Sequence, residues 1–454
     1  IDQRLSGFDD VRITGGVDTE KKDSGFFVVA NIPDARFERY TLSNAEIIGV
    51  GSYDSLHLTG NLGRMQVSDS MFFPNSTLTI VSSNDHSIVS ILTSANETLN
   101  EASLNADVYT MNDGVRINFR PSSFVLNGNK WELEKQGEIV ISKNFASADN
   151  VKFKQGLQEI QVESEDNEFG NTSNLVVKLK DVNFGDFTPL FMTKPRLEGL
   201  VNGNVYLRDF YNKFKAETSL KAEQFRLDND SIGLVNVNAT YNSETGKVDF
   251  NVKSDNDKYT FSADGYYQAK DSTSVPLNTT VRLKDTKIGL VNQFLTGIFS
   301  NIDGLATGDI TISGKPNAPD LIGKVHLTDG AITVDFTKVR YKIPSADFEF
   351  KKDGIDFGKF VIKDEYNNTG SVRGILYEKG FDKMSFDFDM STNNLLLINT
   401  TGKDNQQFYG KAIGKASLSL KGPMEDMKMY IKGEVTDTSN IYIATSTSKE
   451  SADA

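Results

Sequence analysis

The feature that most constrains this chain is a period of two in its apolar residues. In the segment Met384–Met390, four apolar side chains alternate strictly with Ser and Asp. The same pattern recurs in Ile310–Ile312, in Val325–Leu327 and at many other places. Successive side chains of a β-strand point to opposite faces, so this alternation predicts strands with one apolar and one solvated face. Strands buried on both faces of a parallel sheet would instead read as continuous apolar runs.

Short turn sequences separate these alternating runs. Among them are Asn112-Asp-Gly114, Asn127-Gly128, Asp329-Gly330 and Asp353-Gly354. Asn-Gly and Asp-Gly suit the tight turns of β-hairpins, because both central positions can take a positive φ. We therefore predict an all-β chain of neighbouring antiparallel strands, about 25–30 of them at ordinary strand length.

Two segments depart from the strand pattern. In Lys287–Phe299, the apolar residues Ile288, Val291 and Leu295 recur at helical spacing, and Phe294 and Phe299 widen the stripe. This spacing predicts a short amphipathic helix. Asp186–Met192 is a weaker counterpart. The simplest role for either helix is to plug a core.

Pairs of glycines mark an internal repeat. The pairs are Gly199 and Gly203, Gly304 and Gly308, and Gly410 and Gly414. The second members of the pairs are 105 and 106 residues apart, which predicts one supersecondary unit used repeatedly. The predicted organisation is an N-terminal part of the sheet at 1–185, a first repeat at 186–286, a second at 287–399, the start of a third at 400–444, and a disordered or loop-like tail at 445–454.

Composition excludes several classes of function. The 49 basic and 62 acidic side chains give a net charge of −13, which argues against neutralising nucleic-acid phosphates. The absence of Cys excludes a disulfide scaffold, thiolate metal sites and cysteine catalysis. The apolar runs are too short for a membrane-spanning helix, and the start has no signal-peptide pattern, so we expect a mature form or a piece of a longer protein.

No catalytic signature is apparent. The three imidazoles are His57, His86 and His326, and two of them alternate with apolar neighbours, which places them on solvated strand faces. Walker, HExxH and GxSxG motifs are absent from the sequence. Acidic clusters such as Asp255-Asn-Asp257 are better explained as turns than as calcium loops. We predict a protein that is not an enzyme and uses no cofactor or metal. The single Trp131 is expected to be a packing anchor.

The apolar strand faces must be covered, and alternation leaves two arrangements open. Sheets can pack on each other as a closed sandwich. Alternatively, one long sheet can curl into a half-pipe whose apolar concave groove is filled by a ligand. A strand of five to seven residues spans roughly 17–23 Å, a length comparable to a lipid acyl chain.

The second repeat resembles a known family. A Gly-rich strand at 304–312, a Gly-x-Pro…Pro-x-Leu-x-Gly link at 314–323 and a strand that ends in Asp329-Gly330 are similar to the TamB translocation and assembly proteins. Gly370–Gly374 and Phe408–Ala412 fit the return of the same pattern. The similarity covers about residues 100–440 and resembles the bacteroidete form of the family.

This resemblance implies a place in the AsmA-like, bridge-like lipid-transfer superfamily. Such proteins are held by an N-terminal inner-membrane helix and cross the periplasm of Gram-negative bacteria as a curled β-sheet with an apolar groove. Phospholipid would be the cargo, and an Omp85-type outer-membrane barrel of the TamA kind would be the partner. The anchor is missing from this chain, so we expect an internal or C-terminal piece that contacts the barrel through parts beyond it.

Under this hypothesis the apolar strand faces would solvate acyl chains, supporting transport between the membranes and outer-membrane biogenesis. The residues expected to line the groove are Ile310, Ile312, Val325, Leu327, Ile332, Val334, Phe336, Phe348, Phe350, Met384, Phe386, Phe388, Met390, Leu418 and Leu420. Phe294, Leu295 and Phe299 of the predicted helix would close or gate it.

Other interpretations remain open. Every one of these residues could belong to an ordinary β core. The protein could be a periplasmic scaffold or chaperone for outer-membrane protein assembly, or a surface adhesin of stacked sandwiches. A carbohydrate-active enzyme on a β scaffold is the weakest alternative.

Overall fold

A computed structural model describes residues 5–443, except 22–24, 38–39, 67–71, 95–98, 135–136, 144, 166–173, 191–195, 210–212, 229, 269–274, 296, 317 and 379–382. The predicted tail at 445–454 lies outside the described residues. The chain is all-β, as predicted, and its described residues form 31 strands and one short α-helix. It forms two compact units, Ile1–Glu244 and Thr245–Ala454. This division does not coincide with a predicted boundary, and the predicted boundaries stay a prediction.

Unit 1, Ile1–Glu244, is an antiparallel sheet whose strands mostly pair with their neighbours in sequence. Its long strand β8 pairs with β9 along one half and with β10 along the other. The strands are β1 (Leu5–Asp9), β2 (Arg12–Val17), β3 (Phe26–Phe37), β4 (Tyr40–Gly51), β5 (Ser55–Gln66), β6 (Phe72–Ser83), β7 (His86–Thr93), β8 (Leu99–Met111), β9 (Gly114–Phe119), β10 (Ser122–Leu126), β11 (Asn129–Leu133), β12 (Glu138–Ser142), β13 (Ala146–Asp149), β14 (Val151–Gln155), β15 (Gln158–Ser164), β16 (Leu175–Asn183), β17 (Leu197–Arg208), β18 (Lys215–Leu227) and β19 (Asp230–Asn242).

Unit 2, Thr245–Ala454, is an antiparallel meander in which strands β20 to β30 pair in sequence order and β31 also pairs with β29. Its strands are β20 (Lys247–Asn256), β21 (Tyr259–Gln268), β22 (Leu277–Lys287), β23 (Phe299–Lys315), β24 (Ala318–Val334), β25 (Val339–Lys351), β26 (Gly354–Lys363), β27 (Thr369–Tyr377), β28 (Ser385–Thr400), β29 (Phe408–Pro423), β30 (Lys428–Val435) and β31 (Asn440–Ile443).

Of the four turns named above, three are confirmed, at residues 112–113, 127–128 and 352–353. The fourth prediction is wrong, because β24 runs without a break through Asp329-Gly330. Asp329 takes a φ of 51° inside the strand and acts as a bulge. Leu327 and Ile332 lie on either side of the bulge, five residues apart, so in a regular strand they would point to opposite faces. The bulge lets both side chains contact the same core cluster.

The helix predicted at Lys287–Phe299 is largely replaced by a 3₁₀ helix at Gly289–Phe294. The Asn292 side chain explains this difference, because it bonds the Gly289 carbonyl at 2.7 Å and both backbone groups of Ile302. Asn side chains that bond the backbone locally compete with helix formation. Phe299 is already the first residue of β23, opposite Val334.

The segment predicted at Asp186–Met192 contains the α-helix α1 (Phe184–Phe187) and a 3₁₀ helix at Thr188–Leu190. Asn183 caps α1 by accepting a hydrogen bond from the Gly185 backbone at 3.1 Å. Phe187 and Leu190 pack on the core of unit 1, so this segment plugs a core as expected. Residues 191–195 lie outside the described part of the chain.

The glycine pairs accompany a bulge that has the same form in both units. In unit 1, Asp181 has a φ of 51° and its backbone N–H donates to the Asn202 side chain at 2.9 Å. In unit 2, Asp285 has a φ of 47° and its N–H donates to Thr307 Oγ1 at 2.9 Å. The residue after each acceptor is the second glycine of a pair, Gly203 after Asn202 and Gly308 after Thr307. A Cβ on Gly308 would lie 2.1 Å from the Lys324 carbonyl oxygen, so only glycine fits there.

The core of unit 1 surrounds Trp131, which is fully buried. Its ring stacks on Phe124 at 5.9 Å and meets the edge of Phe187 at 5.6 Å, and Leu126 and Val182 complete the cluster. The prediction that Trp131 is a packing anchor is confirmed.

A buried carboxyl lies beside this core and gives a prediction about pH. Asp186 is 3% exposed, and its Oδ2 makes no hydrogen bond among the described residues. Burial raises the pKa of Asp186, against the opposing effect of the neighbouring amides of Asn127, Gln158 and Asn129. Because the folded pKa is raised, the stabilising contribution of Asp186 is present below the unfolded pKa and is lost as pH rises through the folded value.

We therefore expect Asp186→Asn to raise the free energy of unfolding at neutral pH by about 1 kcal/mol, the scale of one unsatisfied polar group. This gain should disappear in acid, where the wild-type carboxyl is protonated in both states. Urea unfolding at a series of pH values measures it. Equal stabilisation at every pH would contradict the assignment.

Candidate functional site

The candidate site is the apolar face of unit 2, which carries a continuous row of aromatic rings. The Phe348 ring on β25 lies 4.8 Å from Phe357, and Phe357 lies 5.4 Å from Phe388 on β28. Phe388 reaches across β27 over Gly374, where a Cβ would come within 2.1 Å of the ring. Glycine at 374 is thus what allows the row to cross a strand.

Apolar pairs continue the face towards β30. Phe388 lies opposite Leu420 and Met390 opposite Leu418 on β29. These leucines lie opposite Met429 and Ile431, respectively, on β30. Exposure rises along this direction, from 3% at Phe386 to 57% at Ile431. The face is therefore covered at one side and open at the other, within the described residues.

One end of the face is closed by a hydrogen-bonded clasp, which we define as Tyr341, Asp364 and Leu396. The Tyr341 hydroxyl donates to the Leu396 carbonyl at 2.8 Å, and the Leu396 N–H donates to Asp364 Oδ2 at 2.8 Å. Burial, helped by the Asp364 charge, raises the pKa of Tyr341, which keeps its hydroxyl protonated as a donor. The register of β28 shifts on both sides of Leu395-Leu396, so the clasp holds a bulged stretch of backbone.

Beneath the clasp the apolar side chains are buried. Leu395 is fully buried, Leu396 is 2% exposed and Val339 is 1% exposed. Leu327 and Ile362 join them, and Phe348 and Met390 of the aromatic side pack against this cluster. The apolar face thus runs from a closed core at the clasp to an exposed surface at β30.

The opposite face of the same strands is polar. Asp387 and Asp389 alternate with Phe386 and Phe388, and both carboxylates approach Lys421 Nζ, at 2.9 and 3.8 Å. This arrangement is the amphipathic strand that the alternation predicts.

The structure places the predicted groove residues in three environments. Val325, Leu327 and Phe386 are buried, and Phe336 is 50% exposed in the turn after β24. The others are half-buried: Ile310, Ile312, Ile332, Val334, Phe348, Phe350, Met384, Phe388, Met390, Leu418 and Leu420. Met384 precedes β28 instead of lying in it. Leu295 and Phe299 are half-buried, and the Phe294 side chain lies outside the described residues. Lipid binding by these residues stays a prediction.

Sequence reasoning missed the clasp and part of the aromatic row. Phe357 and Phe360 lie on either side of Gly358, whose φ of 58° marks a bulge that interrupts the alternation. The run Leu395–Ile398 is continuous and apolar, and this break in the period of two is the signal that could have revealed a closed core.

Three further features of the described residues bear on function. No group of three or more His, Asp or Glu side chains is placed there to hold a metal ion. No helix in the described part is long and apolar enough to cross a membrane. Arg120 bonds the Asp107 carboxylate through two nitrogens, and His86 bonds it through Nε2 at 2.7 Å; these contacts, that of Arg120 above all, lower the pKa of Asp107.

No protein-family model matches the chain, and neither characterised proteins nor solved structures give a match.

Proposed function

We propose that the apolar face of unit 2 holds lipid acyl chains and that the protein moves phospholipid between the inner and outer membranes of a Gram-negative envelope. The observation that carries this proposal is the exposure gradient from the closed clasp to Ile431. Exposed apolar surface that continues directly from a core is costly in water and typical of binding surfaces.

The wider part of the proposal rests on the resemblance of residues 100–440 to TamB proteins. It includes a half-pipe sheet built from repeats of about 105 residues, a periplasmic location, an inner-membrane anchor outside this chain and an Omp85-type barrel as partner. The matching bulges at Asp181 and Asp285 support the repeat, because they lie 104 residues apart and use the same hydrogen bond. The net charge of −13 disfavours adsorption to anionic lipid, so an apolar contact would have to hold the cargo.

The test replaces Phe388, which is half-buried in the aromatic row, with Asp. We expect Phe388→Asp to abolish the phospholipid that co-purifies with the wild type while the β circular dichroism spectrum is retained. A carboxylate at this half-buried position disfavours contact with hydrocarbon, and the substitution leaves the buried core at the clasp intact. Lipid bound per mole of protein is measured by mass spectrometry of organic extracts.

A matched control is Tyr377→Asp. Leu376 lies opposite Phe386 on the apolar face of β27, and the next residue, Tyr377, is 40% exposed on the polar face. It should leave bound lipid unchanged. Phe386→Asp, at 3% exposure, should unfold unit 2 and therefore cannot serve as the lipid test. A folded wild type without bound phospholipid would refute the proposal.

The exposed strands β30 and β31 favour a second candidate, a scaffold for other β-strands. All their residues are exposed, including Tyr430 at 65% and Ile443 at 72%. Edge strands with exposed apolar side chains are templates for strand addition. Retention of outer-membrane protein segments by the Phe388→Asp variant, together with the absence of lipid from the wild type, would support the scaffold.

A further inference from the structure

Three side chains on the polar face of unit 2 line up in the order carboxylate, imidazole, hydroxyl. His326 on β24 lies directly opposite Asp347 on β25, and Thr328 lies opposite Ser345. His326 Nδ1 is 2.7 Å from Asp347 Oδ1, and His326 Nε2 is 3.3 Å from Ser345 Oγ. The flanking Val325 and Leu327 are buried on the other face, so the three polar side chains share the solvated one.

The position of the carboxylate decides the role of each nitrogen. Asp347 accepts from Nδ1–H and so favours the tautomer that leaves the Nε2 lone pair free. That lone pair faces Ser345, whose hydroxyl can donate to it. This order of contacts is the one in which a histidine acts as general base for a serine, and it is recognised by geometry, whatever the fold.

The other imidazole with a carboxylate partner differs in this respect. His86 bonds Asp107 through Nε2, and its ring stacks on Tyr109 at 4.7 Å. The Asp107 carboxylate also forms an ion pair with Arg120. Among the described residues, no serine contacts the second ring nitrogen of His86, so His86 provides an internal comparison for a histidine that is held by Asp alone.

Access to Ser345 is open. Ser345 is exposed, and the side chains of His326 and Asp347 are 46% and 90% exposed. Ladder pairs between β25 and β26 are present at Lys342 and again from Glu349 onwards, and Ser345 lies in the stretch between them. A small ester can approach the hydroxyl from solvent.

We propose that Ser345 is a nucleophilic serine, activated by His326 and oriented through Asp347, that accepts acyl groups from small activated carboxylic esters. Ser345 Oγ bonds to the ester carbonyl carbon while its proton passes to His326 Nε2. The carbon–oxygen bond to the alcohol then breaks, and the proton leaves with that alcohol. The product is an O-acyl serine, and water can release the acid by the same route. Asp347 is a positioning residue that acts through His326.

General-base assistance of this kind contributes about 10²–10⁴ in rate. The exposed site offers no dry cavity for the developing oxyanion, and such stabilisation is worth a further 10²–10³. The expected activity is thus selective acylation of Ser345 with slow turnover. It is independent of the proposed lipid function, which concerns the other face of the sheet.

The test incubates the full chain with p-nitrophenyl acetate and follows acetylation of each serine by peptide mass spectrometry. We expect Ser345 to be acetylated about 100-fold faster than Ser371, whose cross-strand neighbours are Val361 and Ser391. His326→Ala should reduce the acetylation rate of Ser345 to that of Ser371. His86→Ala should leave the rate at Ser345 unchanged.

Two substitutions of Asp347 distinguish a positioning role of its carboxylate from a purely structural one. Asp347→Asn should slow acetylation about tenfold or more, and Asp347→Glu should restore most of it, while all variants keep the wild-type circular dichroism spectrum. Equal acetylation of Ser345 and Ser371 in the wild type would overturn the proposal, as would an unchanged rate in His326→Ala. Full release of p-nitrophenol by Ser345→Ala would assign the reaction to the imidazole alone and would also overturn it.

Discussion

Asp364→Ala is expected to destabilise unit 2 by about 4 kcal/mol, at the upper end of what single substitutions cost. Asp364 is 1% exposed and accepts four hydrogen bonds. The Tyr366 and Asn368 backbone N–H groups donate to Oδ1 at 2.9 Å, and the Asn368 side chain and the Leu396 N–H donate to Oδ2 at 3.0 and 2.8 Å. Removal of the carboxylate leaves these donors without partners inside the protein, at about 1–3 kcal/mol for each that stays dry.

The effect should be local as well as large, because Asp364 connects the β26–β27 turn to the bulge in β28. Hydrogen exchange measured by mass spectrometry should show loss of protection in peptides that cover 364–368 and 393–398. Asp364→Asn keeps the volume but replaces one acceptor with a donor, so we expect an intermediate loss.

Asp389→Ala is the matched control, since its side chain is 64% exposed and lies 3.8 Å from Lys421. Exposed ion pairs are worth about 0–1 kcal/mol, so this variant should unfold close to the wild type. If Asp364→Ala also unfolds like the wild type, the clasp does not close the core.

The sequence predicted strand faces well where the period of two is unbroken. Phe386, Phe388 and Met390 lie on one face and Asp387 and Asp389 on the other because the pleat itself has a period of two. A bulge defeats this reasoning. Asp329-Gly330 has the residue types of a hairpin turn, yet in the structure the positive φ of Asp329 forms a bulge inside the long strand β24. Whether such a dipeptide forms a turn or a bulge depends on the neighbouring strands of the sheet.

Contacts between distant strands were beyond reach from the sequence. Leu396 bonds partners 55 and 32 residues away, and Ser345 meets a histidine 19 residues earlier on the neighbouring strand. Which residues face each other depends on strand register, and register is set by turn lengths and bulges that no short pattern specifies. His326 could be placed on a solvated face, but its neighbours on that face could not be named.

In unit 1, Trp131→Ala is expected to lower the free energy of unfolding strongly. We expect a loss of about 3–5 kcal/mol, the usual cost of truncating a buried Trp to Ala. The ring is fully buried between Phe124, Phe187, Leu126 and Val182, and α1 packs over it through Phe187. The loss of the indole therefore leaves a cavity and also releases the helix from the sheet. The midpoint of urea unfolding, followed by far-ultraviolet circular dichroism, measures the loss.

Trp131→Phe distinguishes the contribution of ring packing to stability from that of the indole nitrogen. The Nε1 atom is buried and makes no hydrogen bond among the described residues, so its removal costs no bond and relieves an unsatisfied donor. A phenyl ring can still stack on Phe124, and we expect Trp131→Phe to lose less than half of what Trp131→Ala loses. Tyr53→Ala, at a residue that is fully exposed in the same unit, should stay within about 0.5 kcal/mol of the wild type. Equal losses for Trp131→Phe and Trp131→Ala would mean that a bond to Nε1, and not the packing of the ring, stabilises this core.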